Sequence, residues 1–232
     1  RARQAAPRPL PTGPCDLRTR LQKMGIGDLF RAAGLSLADT SFLKLNALFP
    51  LMLGGAHMAV VSWVKGPASV VAVEALPVSA DKVPMLVVAS MPILATMLSV
   101  VALECLAAMA PKGYESQRGR AQKAPGAASW ASCPAWVERI QWAQYNTWEA
   151  LMCLLPSLYV AKECALPSPL LAKLCALFLL LRLVYPFAYA LDIDLVRTQL
   201  WLTGFYATGF ISFAALYPEI ALPLVDMAAK AK

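Results

Sequence analysis

The chain reads as an all-α integral membrane protein with about five helical spans, on three observations. Of its 232 residues, 59% are hydrophobic and only 15% charged, against roughly half and a quarter in a soluble domain. The apolar residues gather in runs near the roughly 20 residues that cross about 30 Å of hydrocarbon as a helix. Prolines and most charges fall between those runs. The net charge of +7 therefore points to an anionic lipid surface or an acidic membrane partner. Nucleic acid is excluded as a partner, because no soluble domain remains to carry a groove-reading element.

Residues 1–41 form a basic, proline-rich tail. Pro7, Pro9, Pro11 and Pro14 forbid an early helix. From Asp16 to Leu37, the residues Leu17, Leu21, Met24, Leu29 and Phe30 share one side, which suits either a surface amphipathic helix or a tail packed on a partner. The basic start without an initiator Met is one that cleavage of an organellar transit peptide would leave. Residues 42–66 hold the first span, read at Leu45 to Val64. A loop with Pro67, Pro77 and Pro84 leads to a second span, Met85 to Met109. The polar stretch from Pro111 to Pro134 precedes a third span, Ile140 to Val160. A turn at Pro167 and Pro169 leads to a fourth, Leu170 to Leu191, and a short link to a fifth, Arg197 to Tyr217. Residues 218–232 are a C-terminal tail.

Loop charge sets the orientation. The tail and the 111–134 loop carry, with Arg139, twelve basic residues, against Lys65, Lys82, Lys162, Lys230 and Lys232 on the other side. The N-terminus is thus expected on the cytoplasmic, stromal or matrix face.

Ionisable groups inside spans are costly and usually have a task. Glu149 and Arg182 sit at similar depth on antiparallel spans, so an ion pair between them is expected. Arg139, Trp142, Asn146 and Glu149 recur at helical spacing, as do Arg182, Tyr185 and Tyr189, and Arg197 opens the fifth span. Residue chemistry alone favours a buried polar cluster that staples three helices. The alternative is a pocket for an anionic thiol ligand, with Arg groups on its carboxylates and Arg197 or a Tyr hydroxyl on its thiolate.

These segments resemble the MAPEG family, the membrane-associated proteins of eicosanoid and glutathione metabolism, in its bacterial-type branch. The resemblance covers about residues 85–217 and implies a four-helix bundle that trimerises and binds glutathione between subunits, acting as a transferase or peroxidase on lipophilic substrates. The 42–66 span is then an addition to the bundle. The resemblance matches Asn146, Glu149, Arg182, Tyr189 and Arg197 to glutathione-contacting positions, with Arg197 as the arginine that stabilises the thiolate; Tyr189 joins Arg197 as a candidate catalytic residue, and Tyr185 joins the pocket from its place on the Arg182–Tyr189 stripe. Active members carry arginine where this chain has Trp142 or Tyr145; Arg139, one turn before Trp142, is the candidate replacement.

The remaining candidates are single residues. His57 lies in the first span after Gly54 and Gly55. It can ligate a haem iron or a chlorophyll magnesium, or bond a neighbouring helix, and the small residues beside it favour the bond. The six cysteines show no CxxC pair, so neither a metal site nor a disulfide framework is expected. Most tryptophans belong to an interfacial belt, with Trp142 the one read as close to the site.

Two functions compete. The missing arginines, the added span and the basic tail suit a mainly structural accessory subunit of a large assembly, such as a photosynthetic complex in the chloroplast thylakoid or a respiratory one in the mitochondrial inner membrane. Lipid, chlorophyll or carotenoid would accompany it there. The alternative is the glutathione enzyme itself, as a homotrimer.

Overall fold

The computed structural model describes residues 42–109, 130 and 133–226. The basic tail, its amphipathic segment and most of the 111–134 stretch lie outside them. The described residues form seven α-helices: α1 Phe42–Lys65, α2 Pro67–Glu74, α3 Val83–Met109, α4 Ala135–Glu163, α5 Ser168–Ala190, α6 Asp194–Leu216 and α7 Pro218–Asp226. A 3₁₀ turn, Ala80–Lys82, leads into α3.

The long helices fall on the apolar runs. α3, α5 and the Leu48–Lys65 part of α1 are long and apolar enough to cross a membrane. α4 and α6 are also long enough, at 29 and 23 residues, or about 43 and 34 Å. Their apolar content is diluted by Arg139, Gln141, Gln144, Asn146 and Glu149 on one, and by Arg197 and Gln199 on the other. Of those residues, Asn146, Glu149 and Arg197 line cavities between the helices.

Two helices were not expected. Pro67 begins α2 rather than breaking it, since the first turn of a helix does not need the missing N–H. α7 likewise begins at Pro218. Pro50, Pro92 and Pro156 stand inside long helices, as membrane helices tolerate when neighbours hold the turn.

The turns α4–α5 and α5–α6 close in the same way. Ala165 and Asp192 take left-handed φ values of 52° and 58°. Beyond each, Leu166 donates to the Ala161 carbonyl (2.9 Å) and Ile193 to the Ala188 carbonyl (3.1 Å). These bonds satisfy carbonyls that helix ends would otherwise leave bare. Reversals this short, four residues in one case and three in the other, force α4, α5 and α6 to run as antiparallel neighbours.

α5 is the centre of the bundle. Of its apolar stretch 56% is buried inside the protein, against 22% for α1 and α3, which leave most of their surface to lipid. Leu174, Cys175, Phe178 and Leu154 fill the core with Val87, Met91 and Ile211. α1 docks on this bundle from outside. Met52 and Ala56 pack on Leu202 of α6, Gln199 Nε2 donates to the Met52 carbonyl (3.1 Å), and Gly55 leaves room for Gln199.

Toward its end, α1 is tied to α5 by a reciprocal pair. Trp63 Nε1 donates to the Lys173 carbonyl (2.7 Å) and Lys173 Nζ donates to the Val64 carbonyl (3.0 Å). The ammonium thus caps a helix C-terminus, where cations are favoured. Lys173→Met should lower stability in mixed detergent micelles by about 1.5–3 kcal/mol, the worth of a hydrogen bond from a charged donor. Limited proteolysis should show α1 released first.

Candidate functional site

The site lies among α4, α5 and α6, and its polar residues follow from helical spacing. Asn146 on α4 faces the last two turns of α5. Its Nδ2 donates to the hydroxyls of Tyr185 (3.1 Å) and Tyr189 (2.9 Å). The two tyrosine rings meet edge to face, with centroids 5.2 Å apart. Each hydroxyl accepts from Asn146 and keeps its own proton to donate. Arg197, early in α6, holds its guanidinium over the Tyr189 ring, 4.6 Å from the centroid. Asn146, Tyr185, Tyr189 and Arg197 line one open cleft of about 200 Å³ with Thr198 and Trp201. Four of the expected site residues thus meet at a single place.

Arg182 lies deeper. It is one of the largest fully enclosed side chains, 2% exposed. Its guanidinium carbon stands 5.3 Å from the Phe178 ring centroid and 5.2 Å from that of Tyr185. Cation–π contact replaces part of the lost hydration. Neither Nε nor NH1 has a hydrogen-bond partner. The space for this group comes from Gly204 on α6, where a Cβ would stand 3.0 Å from Arg182 NH2.

The expected Glu149–Arg182 ion pair is not made. The residues of α4 that turn inward here are Thr147, Ala150, Leu151 and Leu154. Glu149 falls beside that stripe and is exposed. Both residues instead line a second, smaller cavity of about 20 Å³, with Cys153, Trp201, Phe205 and Thr208.

Arg139 sits outside both cavities. Its NH2 bonds Asp192 Oδ2 at 2.9 Å, and NH1 reaches the Ala190 carbonyl at 3.4 Å. It grips the α5–α6 turn, where the sequence had suggested a stand-in for the missing ligand arginines. His57 donates to or accepts from the Tyr206 hydroxyl through Nδ1 at 2.6 Å, which ties α1 to α6. No group of three or more His, Cys, Asp or Glu residues suited to a metal occurs among the described residues.

Three contributors escaped the sequence reading. Trp201 lines both cavities, whereas Trp142 is exposed and lines neither. The signal for Trp201 was its i, i+4 spacing from Arg197. Gly204 had no local signal, because its role is defined only by the group opposite. Cys153 was set aside with the other cysteines for want of a CxxC pair, although it falls one turn after Glu149.

A membrane helix bundle with a cleft of one arginine, two tyrosines and one asparagine defines a class of polar-site membrane proteins. The MAPEG family model matches residues 87–217, which contain α4, α5, α6 and nearly all of α3. The chain belongs to the MAPEG family. No curated protein and no solved structure matches the chain.

Adding a Cβ at Gly204 should disturb Arg182. Gly204→Ala is expected to destabilise the protein by about 1–3 kcal/mol, the usual penalty for overpacking. Gly209→Ala is the control, since its Cβ would meet nothing within 4 Å; it should be neutral or stabilise by up to about 1 kcal/mol. Denaturation of the two variants in the same detergent checks both signs.

Proposed function

We propose that the α4–α6 cleft binds the thiol end of glutathione and that the protein transfers it to, or uses it to reduce, lipophilic substrates. The observation that carries this reading is the Asn146–Tyr185–Tyr189–Arg197 cluster on one open cleft. Two hydroxyl donors and one guanidinium converge where a developing thiolate would need them. Tyr189 and Arg197 are the candidates for stabilising the sulfur, Asn146 and Tyr185 for orienting them. Loss of the thiol proton then leaves a nucleophile able to form an S–C bond with an electrophile, or to attack a hydroperoxide O–O bond.

A cleft of about 200 Å³ is smaller than the roughly 300–1,000 Å³ of typical ligand pockets. It suits the cysteinyl portion, with the remaining carboxylates held at its open side. Trp142 and Tyr145, at the positions where active members carry arginine, are exposed and offer no charge to those carboxylates. Each missing charge-assisted bond weakens binding by about 1.5–3 kcal/mol, so binding in the millimolar range is expected. A partner copy in a homotrimer is the natural source of further contacts.

A second reading, an accessory subunit of a larger membrane assembly, is favoured by α1. Bonds from Gln199, His57, Trp63 and Lys173 fix this added helix to the bundle, which suits a surface meant for a neighbour. Under this reading the site cluster is a helix staple, and pigment or lipid would sit on the outer faces of α1 and α3. A chloroplast or mitochondrial membrane is the corresponding location, with the N-terminus on its stromal or matrix side.

Calorimetry of the protein in lipid nanodiscs should show glutathione binding, and Arg197→Ala should cut turnover about 100-fold or more, as loss of one anion-stabilising donor does. No heat at millimolar glutathione, together with co-migration with unlike subunits on native gels, would establish the second reading instead.

A further inference from the structure

A groove of about 700 Å³ opens between the start of α3, the end of α4 and the start of α5. Lys162 on its rim follows Asn146 by 16 residues on α4, or about 24 Å along the axis. The groove therefore lies at the opposite membrane face from the Asn146 cleft. Its volume falls within the roughly 300–1,000 Å³ of ligand pockets.

The polar groups of the groove gather at one end. Asp81 comes from the turn before α3, Lys162 from the last turn of α4 and Ser168 from the first turn of α5. The tight α4–α5 turn, closed by Leu166 on the Ala161 carbonyl (2.9 Å), holds Lys162 and Ser168 on the same rim. Asp81 and Lys162 are both exposed and do not pair with each other. A turn or two deeper, Val88, Leu158 and Leu171 form apolar walls, and the small side chains of Ala89 and Ala161 leave the space between them. A charged rim over an apolar trough fits an amphiphile standing in a bilayer, its head at the interface and its chain along the helices.

We propose that this groove binds one phospholipid with a zwitterionic, primary-ammonium headgroup. The phosphate meets Lys162 and the Ser168 hydroxyl, the ammonium meets Asp81, and one acyl chain lies along Val88, Leu158 and Leu171. Charge complementarity selects the headgroup. A net anionic headgroup would satisfy Lys162 but bring no cation to Asp81. A choline headgroup carries the positive charge but has no N–H to donate to the carboxylate. The basic tail and the 111–134 stretch join the bundle at the other face. Trp63 and Lys173 place the end of α1 beside the start of α5, and Ala102 and Leu106 place the end of α3 beside Val137 of α4. The proposal does not rest on the glutathione reading, whose residues lie at that other face.

The test reconstitutes the full chain in nanodiscs of equimolar phosphatidylethanolamine, phosphatidylcholine and phosphatidylglycerol, and reads the lipids retained after release into detergent by native mass spectrometry. One phosphatidylethanolamine per chain should be retained, favoured about 2- to 5-fold over phosphatidylcholine, as one exposed charged contact allows. Asp81→Asn, in an exposed turn, should abolish that preference, and Lys162→Gln should lower retention of both lipids. Ala89→Phe should fill the trough and empty it of lipid. None of the three should change glutathione binding.

Retention in the same proportions as the nanodisc would make the occupant ordinary boundary lipid and overturn the proposal. An ethanolamine preference that survives Asp81→Asn would overturn it as well. A change of oligomeric state in Ala89→Phe, with lipid retention unaltered, would assign the groove to a second copy of the chain instead.

Discussion

A single buried guanidinium constrains the whole bundle. Arg182 is enclosed by its own helix, by α4 and by α6, and a charge in that position must be solvated by the protein or not at all. Phe178 and Tyr185 supply ring faces one turn to either side. Gly204 supplies the space. Pro186, one turn after Arg182 in α5, cannot donate to the Arg182 carbonyl, so the backbone there is also left polar. Around this point α4, α5 and α6 can pack in few ways, and the two cavities are the gaps left by that packing.

The polar groups divide into two kinds of work. Arg139, Lys173, Gln199 and His57 serve joints: each bonds a backbone atom or side chain on another helix. Asn146, Tyr185, Tyr189 and Arg197 bond or stack on one another around open space. The distinction is geometric. A polar group whose partners lie wholly within the protein closes an interface, whereas a cluster that keeps donors turned to a cleft leaves them for something else.

The long helices were legible because a span must be apolar for about 20 residues, and nothing else in a sequence looks like that. The site stripes on α4 and α5 were legible from helical spacing, and Asn146, Tyr185, Tyr189 and Arg197 do converge. What spacing cannot give is the rotation of one helix against another. A residue advances about 100° around the axis per step, so Glu149 and Ala150 have different neighbours although adjacent in sequence. That rotation exposed Glu149, sent Arg139 to Asp192 and exchanged Trp142 for Trp201. α2 and α7 were missed for a separate reason: each is short and begins at a proline, which reads as a breaker until its place in the first turn is known.

The α5–α6 turn has a consequence for ligand energetics. Asp192 holds a left-handed backbone conformation, Ile193 closes the turn onto Ala188, and Arg139 clamps Asp192 from α4. Tyr189 stands just before this knot and Arg197 just after it. Their relative position is therefore set by covalent geometry and two local bonds rather than by whatever occupies the cleft. A ligand entering there meets groups already immobilised, so little conformational entropy is left to lose on association. Weak binding caused by too few charges and efficient use of the contacts that remain can thus coexist in one cleft.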